Sequence, residues 1–321
     1  MAREIRSIGF ALLAWLALSA VALAQSPPAS AIAFVKNNSL TITAKHGEVL
    51  DTVMMRPAVS DFSISQDRRS VVVVSNGTAR GGELELIDLR KRRRSKLVTS
   101  PVYFKALQQQ EREVYASPQI SPDGEHVVFA VRLDSTSDGT SPGAAAGPLA
   151  VLKISDGSVQ VMPSTTSIEG RGPCNANTPM WSPDGSKILF NCETGFATTS
   201  RDGSKFNRLV AATERKPWSA AIGWLGRRCV LYVQAEDVAA YDTYEVRWLN
   251  LTTSVSQDAS GLVTRQRAKI AGLSEASSDA AISRTSELTI HAPTNQWVLP
   301  RDAPAHLLGG WPRHDVPQSC R

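Results

Sequence analysis

The stretch "MWSPDGSKILFNC", residues 180–192, places Ser-Pro-Asp-Gly between an apolar residue and an apolar run. The stretch "QISPDGEHVVFAV", residues 119–131, repeats that order. Proline sets φ for the first central position of a turn, aspartate bonds its own turn backbone, and glycine adopts positive φ. Each stretch therefore predicts two strands joined by a tight turn. Including one residue from a looser copy, the predicted turn residues are Asp67, Pro122, Asp123, Gly124, Pro183, Asp184 and Gly185.

The repeat extends along most of the chain. Degenerate copies begin at Phe62, Gly223 and Ala281. Repeats of roughly 40–50 residues, each with several short strands, are typical of propeller blades. The apolar residue before the turn recurs at intervals of 43 to 61 residues, at Ile64, Ile120, Trp181, Trp224 and Ile282.

Short β-branched runs such as "SVVVVS" (70–75) occupy the chain beyond residue 30, without long helical periodicity. Asp-Gly-Ser at 156–158 and 202–204 predicts hairpins between outer strands. We therefore expect an all-β chain folded as a β-propeller of six blades, each with four antiparallel strands. Closure of the ring by both termini removes exposed sheet edges. Five blades with an extra flanking hairpin is the alternative.

The N-terminus has the plan of a secretory signal peptide. Basic residues precede the apolar run "FALLAWLALSAVALA", and Ala22-Leu23-Ala24 is a small-x-small cleavage pattern. We expect a signal peptide at 1–24, a linker at 25–30, a propeller at 31–310 and a tail at 311–321. A retained anchor helix is the alternative to cleavage. No later segment is long and apolar enough to cross a membrane, so the mature chain is expected to have no membrane span.

The charge balance does not indicate a nucleic-acid partner. Removing Arg3, Arg6 and Glu4 with the signal peptide changes 35 basic and 30 acidic residues to 33 and 29. This mild excess lacks the concentrated basic stripe that nucleic-acid binding requires. The densest basic run, "RKRRRSK" (90–96), follows an alternating strand pattern and is interpreted as a solvated turn between strands.

Four cysteines in an exported chain predict disulfides. Three pairings are open. Cys174 and Cys192 flank the opening stretch and can meet across one hairpin, in which case Cys229 pairs with Cys320. We expect no metal site, because no C-x-x-C occurs and the five histidines are scattered.

Both Ser-Pro-Asp-Gly stretches, together with "RDGSKFNRLV" (201–210), resemble the WD40-like (PD40) repeat of the TolB family of periplasmic β-propellers. That repeat is roughly Trp-Ser-Pro-Asp-Gly before an apolar strand, with Asp-Gly-Ser and a basic-Leu pair further on. The resemblance covers about residues 31–310 and is sharpest at 114–163 and 174–210. It implies a propeller and a periplasmic or secreted location. We expect the propeller without the family's N-terminal α/β domain, because the strand patterns begin at residue 31, shortly after the predicted cleavage site.

Propellers act through loops on one face, and four long loops lie opposite the Ser-Pro-Asp-Gly turns: 100–115, 134–148, 162–177 and 252–278. Connections longer than roughly 12–15 residues tend to be functional or disordered. Aromatic and charged residues in these loops and at the exit of the third predicted repeat are candidates for an interaction rim. The alternative for each is a solvated loop residue. The candidates are Tyr103, Phe104, Arg112, Tyr115, Glu169, Arg171, Glu214, Arg215 and Trp218.

Signatures of catalysis are absent from the sequence: there is no Gly-x-Ser-x-Gly, no phosphate-binding glycine loop and no H-E-x-x-H. We therefore expect a non-catalytic, monomeric protein without cofactor that binds a protein or peptidoglycan-associated envelope component. The alternative is a carbohydrate-active lyase or hydrolase. Some polysaccharide lyases resemble TolB propellers and use histidine with a metal, and here only His126 and His291 invite that comparison.

Overall fold

The fold is described from a computed structural model. The structure describes residues 31–36, 39–44, 49–54, 59–65, 69–78, 81–91, 93–98, 101–104, 111–135, 145–166, 174–192, 195–211, 219–235, 244–259 and 317–321. Predictions for the signal peptide, the linker, Asp67 and the repeat at 281 lie outside these residues. None of the helices in the described ranges has the length and apolar character needed to cross a bilayer.

Nineteen strands make up nearly all of the regular structure in these ranges. The first three form an antiparallel sheet in chain order: β1 (Ala31–Lys36), β2 (Ser39–Ala44) and β3 (Val49–Met54). The first unit of four strands is β4 (Val59–Ile64), β5 (Ser70–Thr78), β6 (Gly81–Asp88) and β7 (Arg93–Val98). The second unit is β8 (Glu111–Ile120), β9 (His126–Ser135), β10 (Ala145–Lys153) and β11 (Val159–Met162).

The third unit is β12 (Asn177–Trp181), β13 (Lys187–Cys192), β14 (Gly195–Ser200) and β15 (Asn207–Val210). The fourth is β16 (Ser219–Leu225), β17 (Cys229–Ala235), β18 (Tyr244–Asn250) and β19 (Ser256–Asp258). Short 3-10 helices occur at Pro163–Thr165 and Gln318–Cys320.

Each unit is an antiparallel meander in which every strand pairs with the next along the chain. The first two units share one eight-stranded sheet, because Gly81 of β6 makes a single parallel pair with Glu113 of β8. The prediction of an all-β chain built from four-stranded antiparallel units is confirmed. Blade number and closure by the termini stay predictions, since residues 260–316 lie outside the described part of the chain.

The cores lie between successive units, because each sheet is apolar on both faces. Val72, Leu84 and Phe129 pack between the first and second units, and Trp181 and Phe190 belong to the core between the second and third. A blade of this kind is too thin to bury its own faces, and it therefore depends on its neighbours.

Hydrogen bonds between the first strands of successive units align the sheets. Indole Nε1 of Trp181 donates to the carbonyl of Gln119 at 2.9 Å, and Nε1 of Trp224 donates to the carbonyl of Met180 at 3.2 Å. Each tryptophan thus bonds the residue that precedes the equivalent apolar position in the preceding unit. The Ser-Pro-Asp-Gly turns and their counterparts therefore lie at one end of the units, here called the turn end, and the opposite end is the loop end.

Two disulfides fasten this arrangement. Cys174 bonds to Cys192, with Cα atoms 5.3 Å apart, and ties the entry of the third unit to the end of β13. Cys229 bonds to Cys320, with Cα atoms 5.1 Å apart, and holds the C-terminal residues against the fourth unit. The structure thus adopts the pairing that the sequence favoured.

Candidate interaction site at the loop end

A buried carboxylate organises the segment 101–104 at the loop end. Glu113 lies at the start of β8 and is 1% exposed. Its Oε1 accepts the backbone N–H of Val102 at 2.6 Å, and its Oε2 accepts those of Tyr103 and Phe104 at 2.9 and 2.7 Å. A buried charge is costly unless it is hydrogen-bonded, and hydrogen bonds to charged groups are the stronger kind. This clamp sets the backbone path of the segment.

The aromatic side chains of the segment differ in how they pack. A Cβ at Gly147 of β10 would lie 3.2 Å from Cε2 of Phe104 and 2.8 Å from the carbonyl oxygen of Val131. Glycine at this position therefore lets the Phe104 ring lie against β10. The Tyr103 ring meets the Phe104 ring edge-on, with centroids 4.9 Å apart. Tyr103 is half-buried at the loop end and packs partly against the core between the first and second units.

The position predicted for Tyr115 is wrong. The loop expected at 100–115 ends before Glu111, where β8 begins, and Tyr115 is a strand residue that is 5% exposed. Its ring packs edge-on against Phe129, with centroids 5.1 Å apart. Burial, together with the adjacent Glu113 carboxylate and their hydrogen bond, raises the pKa of Tyr115. Tyr115 is therefore part of the core between the first and second units.

The remaining candidates are not brought together by the described residues. The backbone of Arg112 lies in β8, while its side chain lies outside what the structure describes. Five other predicted rim residues also lie outside the described ranges: Glu169, Arg171, Glu214, Arg215 and Trp218. Their binding role stays a prediction.

A second cluster lies at the turn end, between the second and third units. The guanidinium of Arg201 bonds the carboxylate of Asp123 at 3.0 Å and contacts Nδ1 of His126. The same guanidinium lies 5.6 Å from the ring centroid of Trp181, close enough for a cation–π contact. An open cleft of about 460 Å³ lies beside this cluster and is lined mainly by serine, basic and amide side chains.

Within the described ranges, Asp123, Glu125 and His126 place potential metal-ligand atoms within 4.8 Å of one another. The guanidinium of Arg201 already contacts two of these three side chains, so a metal there would lie beside a positive charge of the protein. Burial and the Arg201 charge lower the pKa of His126, which favours the neutral ring. The residues present thus suit an ion pair between units better than a metal centre.

The aspartates of the turns are bound within their own turns. Ser182 Oγ donates to Asp184 at 2.6 Å and accepts the N–H of Lys187 at 2.9 Å. In the outer hairpin of the same unit, Ser200 and Asp202 make the same arrangement. Hydrogen bonds from Ser200 and Ser204 lower the pKa of Asp202 to about 2. Gly185 adopts a φ of 69°, which the turn requires.

Sequence reasoning missed Glu113 and Gly147, which build the loop-end site. The sequence contained one signal for Glu113: it lies two residues before Tyr115 and therefore on the same face of β8, which makes a charged residue on a buried face noticeable only once the strand is assigned. No sequence signal marked the contact between Gly147 and Phe104, because it joins a residue of β10 to a residue of the connection before β8, 43 positions earlier in the chain.

No protein-family model matches the chain, and no curated protein matches it either. Solved structures are similar to it at low identity. TolB from Acinetobacter baumannii is 16% identical over 71% of this chain and 52% of its own, with a TM-score of 0.47. An oligogalacturonate lyase in complex with manganese is 12% identical over 71% of this chain and 66% of its own, with a TM-score of 0.49. The tricorn protease is 9% identical over 72% of this chain and 29% of its own, with a TM-score of 0.47. This chain thus spans less than two thirds of each of these proteins.

Proposed function

We propose that this chain is an exported, non-catalytic β-propeller that binds a protein or another cell-envelope component through its loop end, in the periplasm or outside the cell. The observation that supports this most directly is the Glu113 clamp on residues 102–104. Three backbone hydrogen bonds to one buried carboxylate hold the segment in a single path. A half-buried tyrosine on a pre-ordered backbone loses little entropy when a partner covers it.

Tyr103 is the proposed anchor of this contact. Tyrosine is enriched among the residues that dominate binding energy at protein interfaces. Its ring is braced by Phe104, whose own ring lies against Gly147. The predicted rim residues outside the described ranges would extend the contact around the loop end. The two disulfides suit an oxidising compartment.

We further propose that the units close into a ring of six blades. The sheet of β1 to β3 has three strands where each other unit has four. A strand from the C-terminal part of the chain would complete it, as the closing blade of a ring requires. Asn250 Nδ2 donates to the carbonyl of Ser319 at 3.0 Å, so the extreme C-terminus is held at the turn end of the fourth unit.

Site-specific photo-cross-linking tests the binding proposal. A photoreactive phenylalanine analogue replaces Tyr103 in the exported chain, and the adducts formed in the cell envelope are identified by mass spectrometry. The matched control carries the same analogue at Ser155, an exposed residue of an outer hairpin at the turn end. The proposal expects one discrete protein adduct from position 103 that is absent from position 155.

Equal adduct patterns from the two positions, or no adduct from either, would count against binding at the loop end. The carbohydrate-active alternative is tested beside it by a thermal-shift measurement on the unaltered chain. If uronate-containing oligosaccharides raise the melting temperature strongly and no protein adduct forms, the enzyme hypothesis replaces the binding proposal.

A further inference from the structure

The turn end carries basic side chains that the proposed function does not use. Exposed residues of this kind in the first, third and fourth units include Arg90, Arg93, Lys187, Lys205, Arg227 and Arg228. Arg69, Lys91 and Lys153 are exposed at the same end as well, and Lys91 and Lys153 pair with Asp88 and Asp156. Considering only described residues, Arg93, Lys187, Lys205, Arg227 and Arg228 form no ion pair. The interpretation of "RKRRRSK" (90–96) as a turn is corrected by the structure: Arg90 and Lys91 lie in the turn, while residues 93–96 belong to β7 because they pair with β6.

Apart from Glu125, the described aspartates at the same end accept hydrogen bonds within their own turns or pair with basic side chains; Asp156, for example, accepts the N–H of Ser158 at 2.9 Å and pairs with Lys153. Asp88 Oδ1 accepts the backbone N–H of Arg90 and Lys91, both at 3.0 Å. Asp184 and Asp202 are bonded within their serine turns, as described above. Asp123 is paired with Arg201. Glu125 adds a negative charge beside His126.

This difference has an electrostatic consequence. A carboxylate that accepts hydrogen bonds from its own turn points toward the backbone, while unpaired lysine and arginine side chains extend into solvent. The basic groups are therefore the charges that an approaching surface meets first. The hydrogen bonds from Trp181 to Gln119 and from Trp224 to Met180 place the turns of successive units at one end, so these charges share one face.

We propose that the turn end is a cationic docking face for an anionic phospholipid membrane surface. A broad, planar partner suits charges distributed over three units better than a small ligand, which would need them gathered in one pocket. Basic residues near an anionic leaflet each contribute modestly and additively, and the attraction falls within a Debye length. Docking by the turn end would leave Tyr103 and the loop end facing away from the membrane, available to a partner.

Co-sedimentation with vesicles tests this inference. The exported chain is mixed with vesicles of phosphatidylcholine alone or of phosphatidylcholine with phosphatidylglycerol, at about 0.1 M and about 1 M salt. The proposal expects binding to the anionic vesicles at the lower salt, loss of binding at the higher salt, and no binding to the neutral vesicles. Neutral vesicles also reveal a retained leader helix, since such a helix would bind both kinds of vesicle.

Two triple variants, each lacking three positive charges, test whether the turn end is the face that binds the vesicles. Arg93→Gln, Lys187→Gln and Lys205→Gln together should weaken binding to anionic vesicles roughly a hundredfold. Lys96→Gln, Arg132→Gln and Arg247→Gln remove the same charge from strand positions away from the turns, and should weaken it only a few-fold. Melting temperatures verify that both triple variants are folded.

Three outcomes would overturn the inference: no binding to anionic vesicles by the unaltered chain at the lower salt, equal losses in the two triple variants, or tighter binding to soluble polyphosphate than to the vesicles. The last outcome would assign the face to a soluble polyanion. None of these outcomes affects the cross-linking test at Tyr103, because that residue lies at the other end of the units.

Discussion

At the scale of single residues, one serine hydroxyl organises the turn after the first strand in the first, second and third units, while the shortened turn of the fourth unit, Leu225 to Arg228, contains no serine. Ser182 is 3% exposed, and its Oγ both donates to Asp184 and accepts the N–H of Lys187. Ser121 does the same with Asp123 and His126, and Ser65 accepts the N–H of Ser70 in the degenerate first copy. The first unit therefore keeps the serine of the motif, although glutamine and arginine replace its proline and glycine there.

Ser182→Ala should therefore lower the free energy of unfolding by about 1–2 kcal/mol, because the N–H of Lys187 loses its partner beside a buried strand. Urea denaturation measures the change. Ser155→Ala removes an exposed hydroxyl from a neighbouring unit and should change stability by less than about 0.5 kcal/mol. Equal effects from the two variants would contradict the role given to the Ser182 hydroxyl.

His126 predicts a pH dependence of stability. Burial and Arg201 lower its pKa in the folded protein below the ordinary value of 6.5, so the unfolded chain takes up the proton first. This contribution to stability is complete above the unfolded pKa and is lost as the pH falls through 6.5 toward the folded value. Melting temperatures should decrease across that interval, and His126→Gln should reduce the decrease. The lowered aspartate pKa values act only at more acidic pH. An unchanged pH profile in the variant would exclude His126 as the source.

At the scale of elements, the Glu113 clamp binds residues 102–104, which lie between the first and second units in the chain, to β8. Glu113→Gln keeps the size of the side chain but replaces one carboxylate oxygen with an N–H₂ group, which cannot accept a hydrogen bond. The amide oxygen that remains is a weaker acceptor for the three backbone N–H groups. Hydrogen–deuterium exchange of residues 102–104 should become at least several-fold faster than in the unaltered chain. Glu125→Gln makes the same change on an exposed turn and should leave that exchange unaltered. Unchanged protection in Glu113→Gln would contradict the clamp.

The sequence predicted elements far better than the site. Turn chemistry and alternation are local, and they located the strands on both sides of the Ser-Pro-Asp-Gly turns, such as β9 and β13. They missed β7 and β19, which lie within stretches interpreted as a turn (90–96) and a loop (252–278). The ion pair between Arg201 and Asp123 joins residues 78 positions apart, and the clamp on residues 102–104 depends on the path of a loop. Tyr115 was misplaced because "QQQEREVY" contains no turn residue to mark where the loop ends and β8 begins.

At the scale of the whole molecule, the Cys229–Cys320 disulfide links residues 91 positions apart and encloses the segment predicted to complete the ring. In the chain-entropy account, a loop of that length stabilises the folded state by about 4–5 kcal/mol, against about 3 kcal/mol for the 18-residue separation of Cys174 and Cys192. Replacing both Cys229 and Cys320 by serine should therefore lower the melting temperature more than replacing both Cys174 and Cys192. The reverse order would argue against a long-range tie at the C-terminus.

Binding through a pre-ordered tyrosine at the loop end is the central claim, and its most direct test is the affinity for the partner identified by cross-linking. The dissociation constant of that partner is measured for the unaltered chain and for Tyr103→Ala by titration calorimetry. We expect binding to weaken at least tenfold in the variant. Because Tyr103 packs partly against the core, the variant is also expected to melt at a lower temperature, and circular dichroism verifies that it is folded at the temperature of the titration. Equal dissociation constants for the two proteins would contradict the claim.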